Sequence, residues 1–267
     1  EGHFWRLKVK IPKDSIFDAR KPAPTKLGFF ALETLLDVIK SALAPALPEL
    51  VAGHDYGKCT PAHIKGYHED GRYFIFPDTE GGGMGGSAHG DGESAMKGHD
   101  TVVIPTEVLE AKFPLRVLQY KLRQNSGGAG KYRGGLGVEK DYLSLVDTRL
   151  NAGLDRQLYP PQGIVGGHNA KHNRLVIKTT QGEKIQPSKV TDYEVAAGEI
   201  ISLQTGGGGG FGPPYERPLE MVQEDYEDGL VSEKQAEEAY GVIFDTEGQI
   251  DSQKTMELRK RQETDAL

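Results

Sequence analysis

Glycine constrains this chain more than any other residue. It fills 35 of 267 positions, roughly twice the usual share. The glycines gather in clusters (81–92, 125–137 and 206–212) without a three-residue period, which excludes a collagen-like fold. Glycine serves where the backbone needs positive φ or where something must approach it closely. The clusters therefore predict turn-rich β structure or surfaces lined by bare backbone. The central cluster, Asn125-Ser-Gly-Gly-Ala-Gly-Lys-Tyr-Arg-Gly-Gly-Leu-Gly137, lies between two alternating runs, Leu115–Leu122 and Val138–Val146. Such alternation predicts two half-buried strands, and the connection is too long for a two-residue turn. Lys131 and Arg133 on this loop could meet an anion, a carboxylate or a partner surface. Alternatively, they are two solvated cations on a wide hairpin.

The rest of the pattern points to an α+β, β-rich fold of short strands joined by Gly-rich loops. Phe4–Ile11 alternates apolar and basic residues and predicts a strand. Thr25 is a plausible cap for an amphipathic N-terminal helix over Leu27–Leu43, in which Phe29, Leu32, Leu35, Leu36, Ile39 and Leu43 recur at i, i+3, i+4. Pro45 and Pro48 end it. Arg72–Phe76 is a continuous apolar run suited to a buried strand, and Val108–Lys112 allows a short helix. Asn173–Thr180, Lys184–Gln186 and Glu199–Gln204 continue the β pattern. From Glu216 the chain turns acidic and helical, with a break at Gly229 and a capping box at Ser232-Glu-Lys-Gln235. This predicts a main body over 1–215, a small helical segment over 216–244 and a charged tail over 245–267, the tail forming a frayed or partner-bound helix.

Bulk properties narrow the class. A net charge of −7 argues against nucleic-acid or anionic-membrane binding, and no apolar run is long enough to span a membrane. The single cysteine, Cys59, cannot form an internal disulfide. It reads as a small buried residue and fits a reducing, cytoplasmic setting. The sequence opens without Met inside an expected strand, as a processed or split chain or part of a longer polypeptide would.

Familiar chemical signatures are missing or incomplete. Around Gly130-Lys131 the places a P-loop needs for glycine and Ser/Thr hold Asn125 and Tyr132. Gly81-x-Gly83-x-x-Gly86 and Gly207-x-Gly209-x-x-Gly212 match a dinucleotide fingerprint, but no apolar-periodic helix follows either. His168-x-x-x-His172 has ligand spacing, yet its glycines indicate a loop with exposed histidines. His54-Asp55, His63, His68 and His89-x-Asp91 lack a third ligand at a diagnostic spacing. No Gly-x-Ser-x-Gly occurs, so a self-contained nucleophilic hydrolase is not expected. The best binding candidate is the run Gly81, Gly82, Gly83, Gly85, Gly86 with His89 and Asp91. Exposed backbone N–H groups there could hold a carboxylate or a phosphorylated oxygen. The competing reading is a tightly packed crossing of backbones.

Asn125–Gly137 continuing to Tyr142 closely resembles the hydantoinase B / 5-oxoprolinase family. Further resemblance comes, in order, from Glu80–Gly86 with Asp91-Gly92, Pro105–Glu110 with Phe113–Arg116, Thr205–Gly212, and Asp228–Ser232 through Ala239–Val242. It covers nearly the whole chain but only the C-terminal part of the family's usual subunit.

The resemblance implies part of an ATP-dependent hydantoinase/oxoprolinase-type amidohydrolase that opens cyclic amides with a hydantoinase A-like subunit carrying ATP and Mg. Related subunits belong to biotin-independent acetone and acetophenone carboxylases, so ketone carboxylation is an alternative and a non-catalytic scaffold a second one. A divalent metal (Zn, Mn or Fe) is expected in the family's N-terminal half, supplied as a separate chain or upstream segment, with no complete metal site here and a hetero-oligomer as the working state. Arg156, in Asp155-Arg156, stands where the family carries an acidic-plus-arginine motif. Only one arginine remains, followed by Gln157, which weakens an anion-binding role. Lys131, Arg133 and Arg156 complete the candidate substrate- or intermediate-binding set.

Overall fold

A computed structural model describes residues 8–23, 25, 29–57, 60–98, 101–187 and 189–265. Its centre is a pair of antiparallel sheets. Strands β1 (Pro61–Tyr67), β2 (Tyr73–Thr79), β5 (Thr148–Gly153) and β8 (Lys189–Val195) form one sheet in the order β2-β1-β5-β8. The other, ordered β3-β4-β9-β6-β7, contains β3 (Leu115–Leu122), β4 (Val138–Ser144), β6 (Arg174–Thr179), β7 (Gly182–Gln186) and β9 (Ile200–Gln204). Alternate residues of both sheets meet in one core: Ala62, Ile64, Phe74, Phe76, Leu150, Tyr142, Leu175, Ile177, Ile201 and Leu203, closed by Leu109 of helix α2 (Thr106–Lys112). The period-2 pattern thus fixes which face of each strand is dry.

The two alternating runs around the central glycines pair as expected, with Leu122 opposite Val138. Helices α3 (Leu219–Glu227) and α4 (Glu233–Tyr240) follow the acidic segment, and the Ser232 hydroxyl accepts the Gln235 N–H at 3.3 Å. They bury Val222, Val231, Ala236, Tyr240 and Phe244 against Ala129 of the central cluster.

Four expectations need correction. The first half of Phe4–Ile11 lies outside the described residues, and Lys8–Ile11 form no strand and are exposed. Strand β2 is dry on one face only, with Phe74 and Phe76 buried while Tyr73 and Ile75 are exposed. Helix α1 (Phe29–Leu43) forms, but its inside and outside are reversed. Glu33 and Asp37 are buried, whereas Leu32, Leu35, Leu36, Ile39 and Leu43 are exposed. The tail, expected to fray or await a partner, is helix α5 (Ser252–Asp265) docked on its own chain. Its Thr255 is buried, and its Arg259 donates to the carbonyls of Tyr240 (3.0 Å) and Arg217 (2.9 Å). Cys59 lies outside the described residues.

Candidate functional site

The glycine clusters converge beside the sandwich. Segment 205–212 runs through the middle and touches segments 53–57, 81–92, 126–137 and 162–170. Its contacts are backbone hydrogen bonds: Gly83 N–H to Gly206 C=O (3.0 Å), Gly208 N–H to Gly135 C=O (2.9 Å), Gly128 N–H to Gly208 C=O (2.8 Å) and Gly86 N–H to Gly209 C=O (2.9 Å). A Cβ on Gly83 would lie 1.9 Å from the Gly135 oxygen, and one on Gly208 would lie 1.8 Å from the Met84 oxygen. Space excludes side chains here, as it does at the axis of collagen.

The packed-crossing reading therefore describes Gly81, Gly82, Gly83, Gly85 and Gly86. Their Cα faces meet Ala95, the Tyr56 ring, Gly135, Gly53 and Tyr132 respectively. Four of the five expected free donors are also spent. Gly82 N–H bonds Met96, Gly83 N–H bonds Gly206, Gly86 N–H bonds Gly209, and Gly85 N–H bonds the Asp55 carboxylate at 2.9 Å.

The charged candidates are dispersed around this bundle. His89 is exposed in the turn after it. Lys131 is half exposed with Glu216 at 3.5 Å. Arg133 is buried and pairs with Asp225 at 3.1 Å, so it is no solvated cation. Asp91 accepts the Arg133 backbone N–H and both Arg217 Nη atoms, each at 2.7 Å. Asp91, Arg133, Arg217 and Asp225 thus clasp α3 to the bundle. Sequence reading missed Arg217 and Asp225; their one signal was charge inside an otherwise apolar-periodic stretch. His168 and His172 are exposed on a loop, as expected.

Arg156 stands elsewhere, under α1. Glu33, Asp37, Lys40 and Ser41 form a polar stripe at i, i+4, i+7 and i+8, opposite the leucines. That stripe was the available signal for the helix's true inner face. Arg156 Nη2 donates to Asp37 in a very short contact, and Lys40 Nζ lies 3.2 Å from Asp37 and 3.0 Å from Asp55. The Ser41 hydroxyl is 2.6 Å from His54 Nε2, while buried His54 Nδ1 has no hydrogen-bond partner among the described residues and sits 4.0 Å from Asp37. Burial lowers the His54 pKa despite Asp37, so the ring is neutral near pH 7. Gly57, at φ 101°, lets the Asp155 carboxylate occupy the space of a side chain. Burial pushes Asp155 up to about 7, with Arg156 opposing it. A neutral imidazole hydrogen-bonded to a hydroxyl can move a proton, and a carboxyl poised near neutrality beside Arg156 can do so as well. No group of three His, Cys, Asp or Glu side chains among the described residues could hold a metal.

A third polar group lies between bundle and sandwich. Lys140 Nζ donates to Glu80 at 2.7 Å and is 3.8 Å from Asp78, which accepts a very short bond from Tyr142 O–H. Burial, then Asp78, raises the Glu80 pKa against Lys140.

The family model described as hydantoinase B/oxoprolinase matches residues 1–214. The chain belongs to the hydantoinase B/oxoprolinase family. Within it, the chain is 36% identical over 265 residues to an uncharacterised protein of Methanocaldococcus jannaschii, covering 97% of this chain and 46% of the relative. It is 32% identical to the caprolactamase subunit beta of Pseudomonas jessenii, covering 96% of this chain and 46% of that subunit. The ATP-dependent caprolactamase structure from the same organism superposes with a TM-score of 0.76 at 26% identity, over 91% of this chain and 44% of that one. Nucleotide-free acetone carboxylase, the subject of a study of ATP-dependent acetone carboxylation, shares the fold with a TM-score of 0.73 at 22% identity, over 84% of this chain and 35% of that one. The chain thus spans less than half the length of these hydantoinase B relatives. No helix among the described residues is long and apolar enough to cross a membrane.

Proposed function

We propose that this chain is the glycine-bundle half of a B-type subunit in an ATP-dependent cyclic amide hydrolase. It acts with a hydantoinase A-like subunit that binds ATP and Mg, and with the remaining half of its own subunit type. The observation that carries the reading is the family match combined with the inverted α1. A helix that turns carboxylates inward and leucines outward is stable only when another body covers its apolar side, and relatives are about twice as long. The cluster of Asp37, Ser41, His54, Asp155 and Arg156 then lies beneath that contact, where closure would exclude water from an activated intermediate. His54 would accept a proton, Asp155 would share one, and Arg156 would hold Asp37 in place. The glycine bundle holds these groups rigidly instead of contacting substrate itself.

Co-expression with an A-type subunit and the family's other half tests this. The expected result is ring opening of a hydantoin, 5-oxoproline or caprolactam with matching ATP consumption, only when all parts are present. Replacing Leu35, Leu36 and Ile39 together by Ser should abolish association while leaving the isolated chain folded. Equal turnover by the chain alone would end the proposal. ATP consumption that follows bicarbonate and a ketone would transfer the chain to the carboxylase reading.

A further inference from the structure

Positive charge is segregated in this acidic protein. Residues 111–138, 156–182 and 200–215 contain no Asp or Glu, although the whole chain has 39 acids against 32 Lys and Arg. These acid-free segments meet at one end of the glycine bundle. Arg123, at the end of β3, donates through Nη1 to the His172 carbonyl at 2.8 Å and the Thr205 carbonyl at 3.0 Å. The Lys171 N–H bonds the Ser126 carbonyl at 2.8 Å, and the Lys171 carbonyl presses on Gly206. Arg174 begins β6 two residues beyond His172, on the same side of the chain, because the intervening Asn173 is buried.

Four basic groups are therefore fixed on a rigid backbone platform. None of Arg123, Lys171 and Arg174 has an acidic partner within ion-pair distance among the described residues. The carboxylate that acts on Arg123, Glu139, already serves Lys121 at 3.7 Å and Lys178 at 3.5 Å. Burial and mutual repulsion lower the pKa values of Arg123, Lys171 and His172. Arg123 is pushed down to about 10 by burial and then by Arg174, and Lys171 and His172 are both lowered by burial and then by Arg123 and Arg174. Like charges held together without counter-charge cost free energy that a bound anion returns.

We propose that Arg123, Lys171, His172 and Arg174 form a binding site for a phosphate-class oxyanion. Three cations and an imidazole exceed what a single carboxylate balances, and guanidinium groups match the geometry of phosphate oxygens. Arg123 is half-buried and anchored to two carbonyls, so it positions the site, while Lys171, His172 and Arg174 face the ligand.

The test is calorimetric titration of the full chain with inorganic phosphate and with phenyl phosphate, against chloride at equal ionic strength. One saturable site is expected. The K171Q/R174Q pair should weaken it by about 30- to 150-fold, the loss of two contacts at about 1–1.5 kcal/mol each. K184Q/K189Q, which removes exposed lysines on β7 and β8, should leave binding unchanged. K171Q alone, on an exposed side chain, should show part of the loss if the double variant does not fold. Tighter binding of phenyl phosphate would assign a phosphate ester, and equal affinity would assign free phosphate. Binding no stronger than chloride, or equal loss in K184Q/K189Q, would overturn the site.

Discussion

Adding one methyl group at Gly83 tests whether bare backbone is a packing requirement in the bundle. The new Cβ would lie 1.9 Å from the Gly135 oxygen and 2.4 Å from the Gly208 nitrogen, both backbone atoms. Reaching ordinary contact needs a shift of about 1.5 Å in one of those segments. Moving Gly135 breaks the bonds Gly208 N–H to Gly135 C=O (2.9 Å) and Gly135 N–H to Met84 C=O (2.8 Å). Each buried bond lost costs about 1–3 kcal/mol, and overpacking adds about 1–3. The sum is roughly 3–9 kcal/mol, a large part of a typical domain's total stability.

Gly83→Ala should therefore lower the thermal midpoint by at least about 6 °C, using roughly 2–4 °C per kcal/mol for a chain of this size. Gly90 is the control, since a Cβ there meets nothing within 4 Å and its backbone is not left-handed. Gly90→Ala should be neutral or stabilising by up to about 1 kcal/mol, through the unfolded chain. Gly66→Ala, with contacts of 3.1–3.2 Å that include a movable Phe74 ring, should fall between. Melting followed by far-UV circular dichroism orders the three. A Gly83→Ala midpoint within about 3 °C of Gly90→Ala would refute the packing account.

Three further outcomes concern buried charge. Lys140→Met leaves Glu80 and Asp78 buried without their cation and should cost about 3–5 kcal/mol by urea denaturation. Because Glu80 binds its proton more tightly folded than unfolded, the deficit should shrink as pH falls toward the ordinary carboxylate range. Asp155, raised to about 7 in the folded chain, contributes stability that is complete below about 4 and lost as pH rises through about 7. Asp155→Asn keeps the shape and should flatten that part of the stability profile, with its largest relative gain above pH 7. Asp225→Ala uncouples Arg133 and Arg217 and should cost about 3–5 kcal/mol, with limited proteolysis releasing the helical C-terminal segment first.

What could be read from sequence follows the range of the interactions involved. Leu115–Leu122 and Val138–Ser144 declare themselves because the strand period is local, and Ser232 caps α4 within one turn. Helix α1 was legible as a helix but not in its orientation. Its leucine stripe and its Glu33–Asp37–Lys40–Ser41 stripe are both helical, and only His54, Asp55 and Arg156 decide which one turns inward. Strand β8 carries Lys189, Thr191 and Asp192 on a half-exposed surface and gave no alternation to read. The glycines announced a close approach but not its object. Gly83 and Gly135 are 52 positions apart, and no local rule pairs them. Arg133 and Asp225, 92 positions apart, were hidden for the same reason.

The placement of charge separates what the bundle holds from what it presents. Around its interior, each buried cation is matched: Lys140 to Glu80, Arg133 and Arg217 to Asp225 and Asp91, and Arg156 to Asp37. Desolvating an ion is tolerable only when a partner is fixed nearby, and the glycine crossings supply that fixity because no segment can shift without displacing another backbone. The exceptions are informative for that reason. Among the described residues, His54 Nδ1 and Asp155 Oδ2 are buried without a hydrogen-bond partner beneath α1, and Arg123, Lys171 and Arg174 have no acidic group within ion-pair distance, on an open face. A scaffold that pairs its structural charges and leaves these groups unmatched offers places where a proton or an anion from outside would lower its free energy. Rigidity is what keeps both in that state: a softer fold would relax His54 toward water and let Arg174 drift to the nearest carboxylate.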